Sequence, residues 1–124
     1  KTAKRAEAPA RVINVGSISG IQYPMDDAWA YHPAKAAVHH LTGTLALKLA
    51  AEGINVNAVA PGLFPSKMTA FSMPGGDTSL VSSAIPAGRV GKPSDIVGTV
   101  VYLASAAGAF TTGATIKVDG GSAL

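Results

Sequence analysis

Three residues carry the chemistry this chain can offer: Ser17 at the end of an apolar run, and Tyr31 and Lys35 four positions apart. On a helix that spacing puts both side chains on one face, about 5–6 Å apart at Cβ. A cation so close to a phenol favours the phenolate, so a tyrosine held there can give and take a proton near neutrality. The same pair also occurs on ordinary helix surfaces, where the ring rests on the lysine stem and does no chemistry. The surrounding residues decide between these readings.

Arg11-Val12-Ile13-Asn14-Val15 reads as a buried strand leading through Gly16 into Ser17. In open α/β sheets ligands lie beyond the carboxyl ends of strands, which is where Ser17 falls. Ser19 competes for the role, or serves as a turn residue bonding nearby backbone. A helix is expected from close to Tyr31 to about Ala51, with Pro33 in its first turn, where a missing N–H does little harm. Val38, Leu41, Leu45 and Leu49 form its core stripe, and Gly53 stops it. Ile54 to Val59 is the second strand, ending at Pro61-Gly62; a short helix follows over Thr78–Ala84. A longer helix spans Ser94–Ser105, carrying Ile96, Val100, Val101 and Leu103, with Ser94 as N-cap and Asp95 at the positive end. The third strand is Thr115–Val118. Strand and helix alternate as in a parallel sheet.

Four stretches in this order make the chain resemble the C-terminal half of a short-chain dehydrogenase/reductase, the large family of nicotinamide-dependent oxidoreductases. They are Asn14-Val15-Gly16-Ser17, Tyr31-His32-Pro33-Ala34-Lys35, Ile54-Asn55-Val56-Asn57-Ala58-Val59-Ala60-Pro61-Gly62 and Val118-Asp119-Gly120-Gly121. The resemblance implies an α/β fold, a partial Rossmann-like, doubly wound parallel sheet made of C-terminal strands and helices only. Residues 1–124 are then a single catalytic portion whose N-terminal cofactor-binding half is absent. By the same resemblance, Ser17 binds the substrate oxygen, Tyr31 exchanges a proton with it, and Lys35 tunes the tyrosine and holds the nicotinamide ribose. Pro61, Gly62 and Leu63 would pack against the cofactor, with Leu63 near its carboxamide. That cofactor is NAD(P)H, with NADPH favoured, and the substrate a small carbonyl or alcohol. The stretch from Ala60 to Met68 is similar to the branch that reduces 3-oxoacyl thioesters, including the rhamnolipid-type ketoacyl reductases.

The sequence also departs from the family. No glycine-rich turn links a strand to a helix in the manner of a pyrophosphate site, and the family's asparagine on the helix before Ser17's strand is missing. Thr69 lies further from Pro61-Gly62 than the threonine that contacts cofactor in the family. Lys1 to Pro9 reads as the polar end of a helix and a loop, so a piece of a longer reductase, inactive alone, is expected. The family's tyrosine-bearing helix often packs on its counterpart, which implies a homo-oligomer when the chain is whole. A relative that binds or dimerises without catalysis is the alternative. The first strand would lack a neighbour on its outer side, inviting association.

Composition agrees. The chain of 124 residues is 48% hydrophobic and 14% charged, as expected of a piece covered by something else. Its net charge of +3 owes much to Lys1, Lys4, Arg5 and Arg11, and without interleaved aromatics this reads as a solvated helix end rather than a nucleic-acid surface. The lack of cysteine excludes disulfides and fits a cytoplasmic compartment, and no apolar run is long enough for a membrane helix. No metal is expected, since His39 and His40 diverge by about 100° on a helix; they and His32 should face solvent or a partner. Asp26 and Asp27 suit a helix N-terminus. Tyr23 and Trp29 either line the substrate entrance or cover the core. Met68 to Ala87, with Phe71, Met73, Pro74, Gly75 and Gly76, is either a lid over an apolar substrate or a loop with core anchors. Arg89 and Lys92 are read as structural.

Overall fold

Ile54–Pro61 is the strand on which the other elements are assembled. The computed structural model describes residues 8–24 and 26–124; the Lys1–Glu7 run, read above as a helix end, lies outside them. The elements are β1 (Ala10–Val15), α1 (Tyr31–Leu49), β2 (Ile54–Pro61), α2 (Ser79–Ser83), α3 (Pro93–Ala104) and β3 (Thr115–Val118). Their strands form one parallel sheet in the order β1-β2-β3, with Ala10 opposite Ile54, Val15 opposite Val59 and Pro61 opposite Val118.

Residues 55–60 are all buried, because each face of the sheet carries a helix. Arg11 and Asn14, three apart on β1, point to opposite faces. Asn14 Nδ2 donates to Thr42 Oγ1 of α1 at 2.9 Å, whereas Arg11 Nε donates to the Leu103 carbonyl in α3 at 3.0 Å. The sheet is therefore doubly wound, as expected. The two asparagines of β2 do not face solvent. Asn55 Nδ2 donates to the Ala109 carbonyl at 2.9 Å, and Asn57 donates to the Thr111 carbonyl at 2.8 Å while its Oδ1 accepts the Ala114 N–H at 3.0 Å. These bonds satisfy buried amides and lead the chain into β3.

Helix α1 begins at Tyr31 with Pro33 inside its first turn, and it ends through a 3-10 turn at Gly53, whose φ of 76° suits glycine. Its closest approach to the sheet is made by Thr42 and Ala46, which are buried, while Leu41 remains 49% exposed. The expected leucine stripe is corrected accordingly: a close-packed contact leaves room for small side chains at its centre and moves Leu45 and Leu49 to the flanks. Helix α3 starts at Pro93, one residue before the expected start, with Lys92 rather than Ser94 at the cap position. Proline's fixed φ suits the first helical position, and Asp95 accepts the Lys92 N–H at 2.7 Å. Leu103 is its fully buried residue, while Val101 is exposed. Among the described residues no helix is long and apolar enough to cross a membrane.

Candidate active site

The ladder between β1 and β2 runs one residue beyond β1, with Gly16 N–H donating to the Val59 carbonyl at 2.8 Å. Ser17 then leaves the sheet in extended conformation and caps a 3-10 turn at Ile18–Gly20, its Oγ accepting the Ser19 N–H at 3.1 Å. Ser19 is thus the turn residue and Ser17, which is buried, the hydroxyl at the strand end. A Cβ on Gly20 would stand 2.6 Å from the backbone of Lys35 and Ala36, so glycine lets this turn press onto α1.

From α1, Lys35 reaches the same strand end with the Tyr31 ring beside it. Lys35 Nζ lies 5.6 Å from the centre of the Tyr31 ring and donates to the Val15 carbonyl at 3.0 Å. An ammonium has three donors, and Val15 takes one. The remaining two suit a pair of hydroxyls such as those of a ribose. That donor set, beside a tyrosine ring, fits the nicotinamide end of a dinucleotide.

The histidines correct an expectation. His40 is exposed, but His32 and His39 turn inward. His32 Nε2 lies 2.6 Å from Asp26 Oδ1, its Nδ1 is buried without a partner, and its ring meets Tyr31 edge-on at 5.9 Å between centroids. Asp26 therefore ties the loop before α1 to the helix instead of serving the helix end. The His32 bond, then the Ala28 N–H, holds its carboxyl below the ordinary carboxylate value. His39, a full two turns beyond Tyr31, accepts the Ser17 N–H on Nε2 at 3.3 Å. Its phase with Tyr31 and Lys35 was the signal available in the sequence. Among the described residues no group of three His, Asp or Glu side chains could hold a metal ion.

Pro61, Gly62 and Leu63 leave β2 on the same edge of the sheet as Ser17. Gly62 N–H donates to the Val118 carbonyl at 3.0 Å, and a Cβ there would stand 2.7 Å from Asp119 Cβ. Leu63 lines a cleft of about 340 Å³ with Arg89, Lys117 and Asp119, and none of Ser17, Tyr31 or Lys35 borders it. Thr69 donates to the Phe64 carbonyl at 2.7 Å as part of a turn. Beyond it, Met73 and Ile85 are buried anchors, whereas Met68, Phe71 and Leu80 are exposed. Tyr23 and Trp29 are exposed as well and do not cover the core.

The family described as Enoyl-(Acyl carrier protein) reductase matches residues 1–123. The rhamnolipids biosynthesis 3-oxoacyl-[acyl-carrier-protein] reductase of Pseudomonas aeruginosa is 48% identical over 117 residues, which are 94% of this chain and 46% of that protein. The 3-oxoacyl-[acyl-carrier-protein] reductase FabG of Vibrio harveyi is 41% identical, over 90% of this chain and 45% of its own length. The chain thus spans about half the length of these curated relatives. Among solved structures, the Pseudomonas aeruginosa RhlG/NADP active-site complex superposes with a TM-score of 0.87 at 47% identity, covering 96% of this chain and 48% of its own. A short-chain dehydrogenase from Leptospira borgpetersenii with bound NAD+ gives 0.76 at 31% identity, covering 92% and 44%.

Proposed function

The chain belongs to the short-chain dehydrogenase/reductase family, and we propose that it is the catalytic half of a nicotinamide-dependent ketoreductase. The observation that carries this reading is the placement of Lys35, bonded to the end of β1 while its charge lies beside the Tyr31 ring. Ser17 Oγ binds the oxygen of the substrate carbonyl. Tyr31 passes its hydroxyl proton to that oxygen during reduction and takes it back during oxidation. Lys35 stabilises the phenolate left behind and holds the ribose hydroxyls with its two remaining donors. The nicotinamide, when bound, supplies the hydride to the carbonyl carbon. Pro61, Gly62 and Leu63 would pack against it; this stretch offers no glycine-rich turn between a strand and a helix for its pyrophosphate, and we infer that it is inactive by itself.

A 3-oxoacyl thioester is the proposed substrate. The exposed Met68, Phe71 and Leu80 of the segment after β2 and the exposed Tyr23 and Trp29 before α1 supply apolar surface for an acyl chain. The 3-oxoacyl reductases among the relatives support the same choice, and the NADP complex supports NADPH over NADH. The exposed Leu41 and Leu47 on the outer side of α1 suit a contact between copies of the whole enzyme. The test is to incubate the complete reductase with NADPH and a 3-oxoacyl thioester and follow cofactor oxidation. Turnover is expected, and Ser17→Ala should lower kcat by about 100-fold or more. Oxidation of neither NADPH nor NADH, or an unaltered Ser17→Ala enzyme, overturns the reading.

A further inference from the structure

We propose that His39 is a positioning residue for Ser17: its imidazole accepts the Ser17 N–H and thereby fixes the serine hydroxyl at the end of β1. The proposal deepens the ketoreductase reading and rests on it for its kinetic consequences. Three observations support it. Tyr31, Lys35 and His39 recur every four residues along the inward line of α1, so the helix that delivers the tyrosine and the lysine delivers the imidazole as well. His39 Nε2 lies 3.3 Å from the Ser17 nitrogen, at the point where the β1–β2 ladder has ended and that buried N–H needs a partner. Finally, the ring lies directly against Gly16: a Cβ there would stand 2.0 Å from His39 Nε2 and 2.5 Å from Cδ2. Any larger residue at position 16 would push the ring off Ser17.

Accepting this bond requires a lone pair on Nε2, so the ring proton of the neutral imidazole must sit on Nδ1. The groups facing the ring are Lys35 on α1, the Gly16 and Ser17 backbone after β1, and the Gly20 backbone in the following turn. Lys35 is the charge acting on it. Burial, then the Lys35 ammonium, pushes the His39 pKa below its ordinary 6.5, against a hydrogen bond to the Gly20 backbone that raises it. At neutral pH the acceptor is intact. On acidification through the lowered pKa, Nε2 gains a proton that points at another N–H, and the charged ring is repelled by Lys35. The serine then loses its anchor, so turnover falls on the acid side of pH 6.5. The sign for stability is the same: the unfolded chain takes up this proton first, and the contribution, full above the unfolded value, is lost as pH drops through the folded one.

Two variants of the complete reductase test the assignment. His39→Leu keeps bulk without an acceptor and should lower kcat by about 10- to 100-fold while cofactor affinity stays within about twofold. His39→Gln offers an oxygen in place of Nε2, so it should recover most of kcat and remove the acid limb. Nitrogen-15 spectra of the wild-type imidazole at neutral pH should show the proton on Nδ1. That spectrum is read without substrate, so its failure is separable from failure of the ketoreductase reading. A proton on Nε2, a Gln variant that keeps the wild-type acid limb, or a Leu variant with wild-type kcat each overturns the proposal.

Discussion

Two polar clusters stand at the carboxyl-terminal edge of this sheet, and they differ in where their hydrogen bonds go. Beside β3, the Arg89 guanidinium and the Asp95 and Asp119 carboxylates are answered from within. Arg89 forks onto both oxygens of Asp95 at 2.7 and 3.0 Å, and Asp119 accepts the N–H groups of Gly121 and Ala123 at 3.0 and 2.8 Å. Between β1 and α1 the accounting stays open. Lys35 gives one bond, to Val15, and the Tyr31 hydroxyl has none among the described residues. A saturated cluster ties loops together; an unsaturated one at a strand end suits the proposed role of receiving oxygen atoms from elsewhere.

The largest expected effect separates the clusters directly. In the complete reductase, Lys35→Met should lower kcat/KM by about 100- to 1,000-fold. Arg89→Met, in the saturated cluster, should leave kcat/KM within about threefold while lowering Tm. Equal losses of activity at both positions would erase the distinction. Next comes the stitching of the β3 side. Asn57→Ala strands the Thr111 carbonyl and the Ala114 N–H and should cost about 1–3 kcal/mol by denaturant unfolding. An unchanged midpoint would mean that this segment is held by something else. The smallest effect concerns acid. Asp95 is lowered from 3.8 to about 2, first by Arg89 and then by the Lys92 N–H. Its contribution to stability is therefore full above pH 3.8 and lost as pH falls through about 2. Asp95→Asn should flatten the fall of Tm across that window, and an unaltered slope would remove Asp95 from the acid response.

Legibility in the sequence followed the range of the interactions. Tyr31 and Lys35 were visible because four residues of helix is a fixed geometry, and Pro33 set the helix start. Thr115–Val118 came out as read because an apolar strand between turn residues is a local pattern. His39 was not visible, although it shares their phase. A histidine turns inward only where the opposing surface offers it a donor, and here that donor comes from 22 residues away, past a glycine that makes room for the ring. Leu41 misled for a related reason: residue type suggests burial, but the helix approaches the sheet along Thr42 and Ala46. Ser94 looked like a cap by type, yet Pro93 claimed the first helical position. The strand and helix positions and the shared face of Tyr31 and Lys35 were thus readable from spacing, and the packing partners that hold them were not.

The central claim is that Tyr31 moves the proton. Tyr31→Phe in the complete reductase measures it most directly, with turnover and cofactor affinity determined on the same preparation. The account predicts a fall in kcat of at least about 100-fold with cofactor Kd held within about threefold. Near-normal turnover in that variant would contradict it.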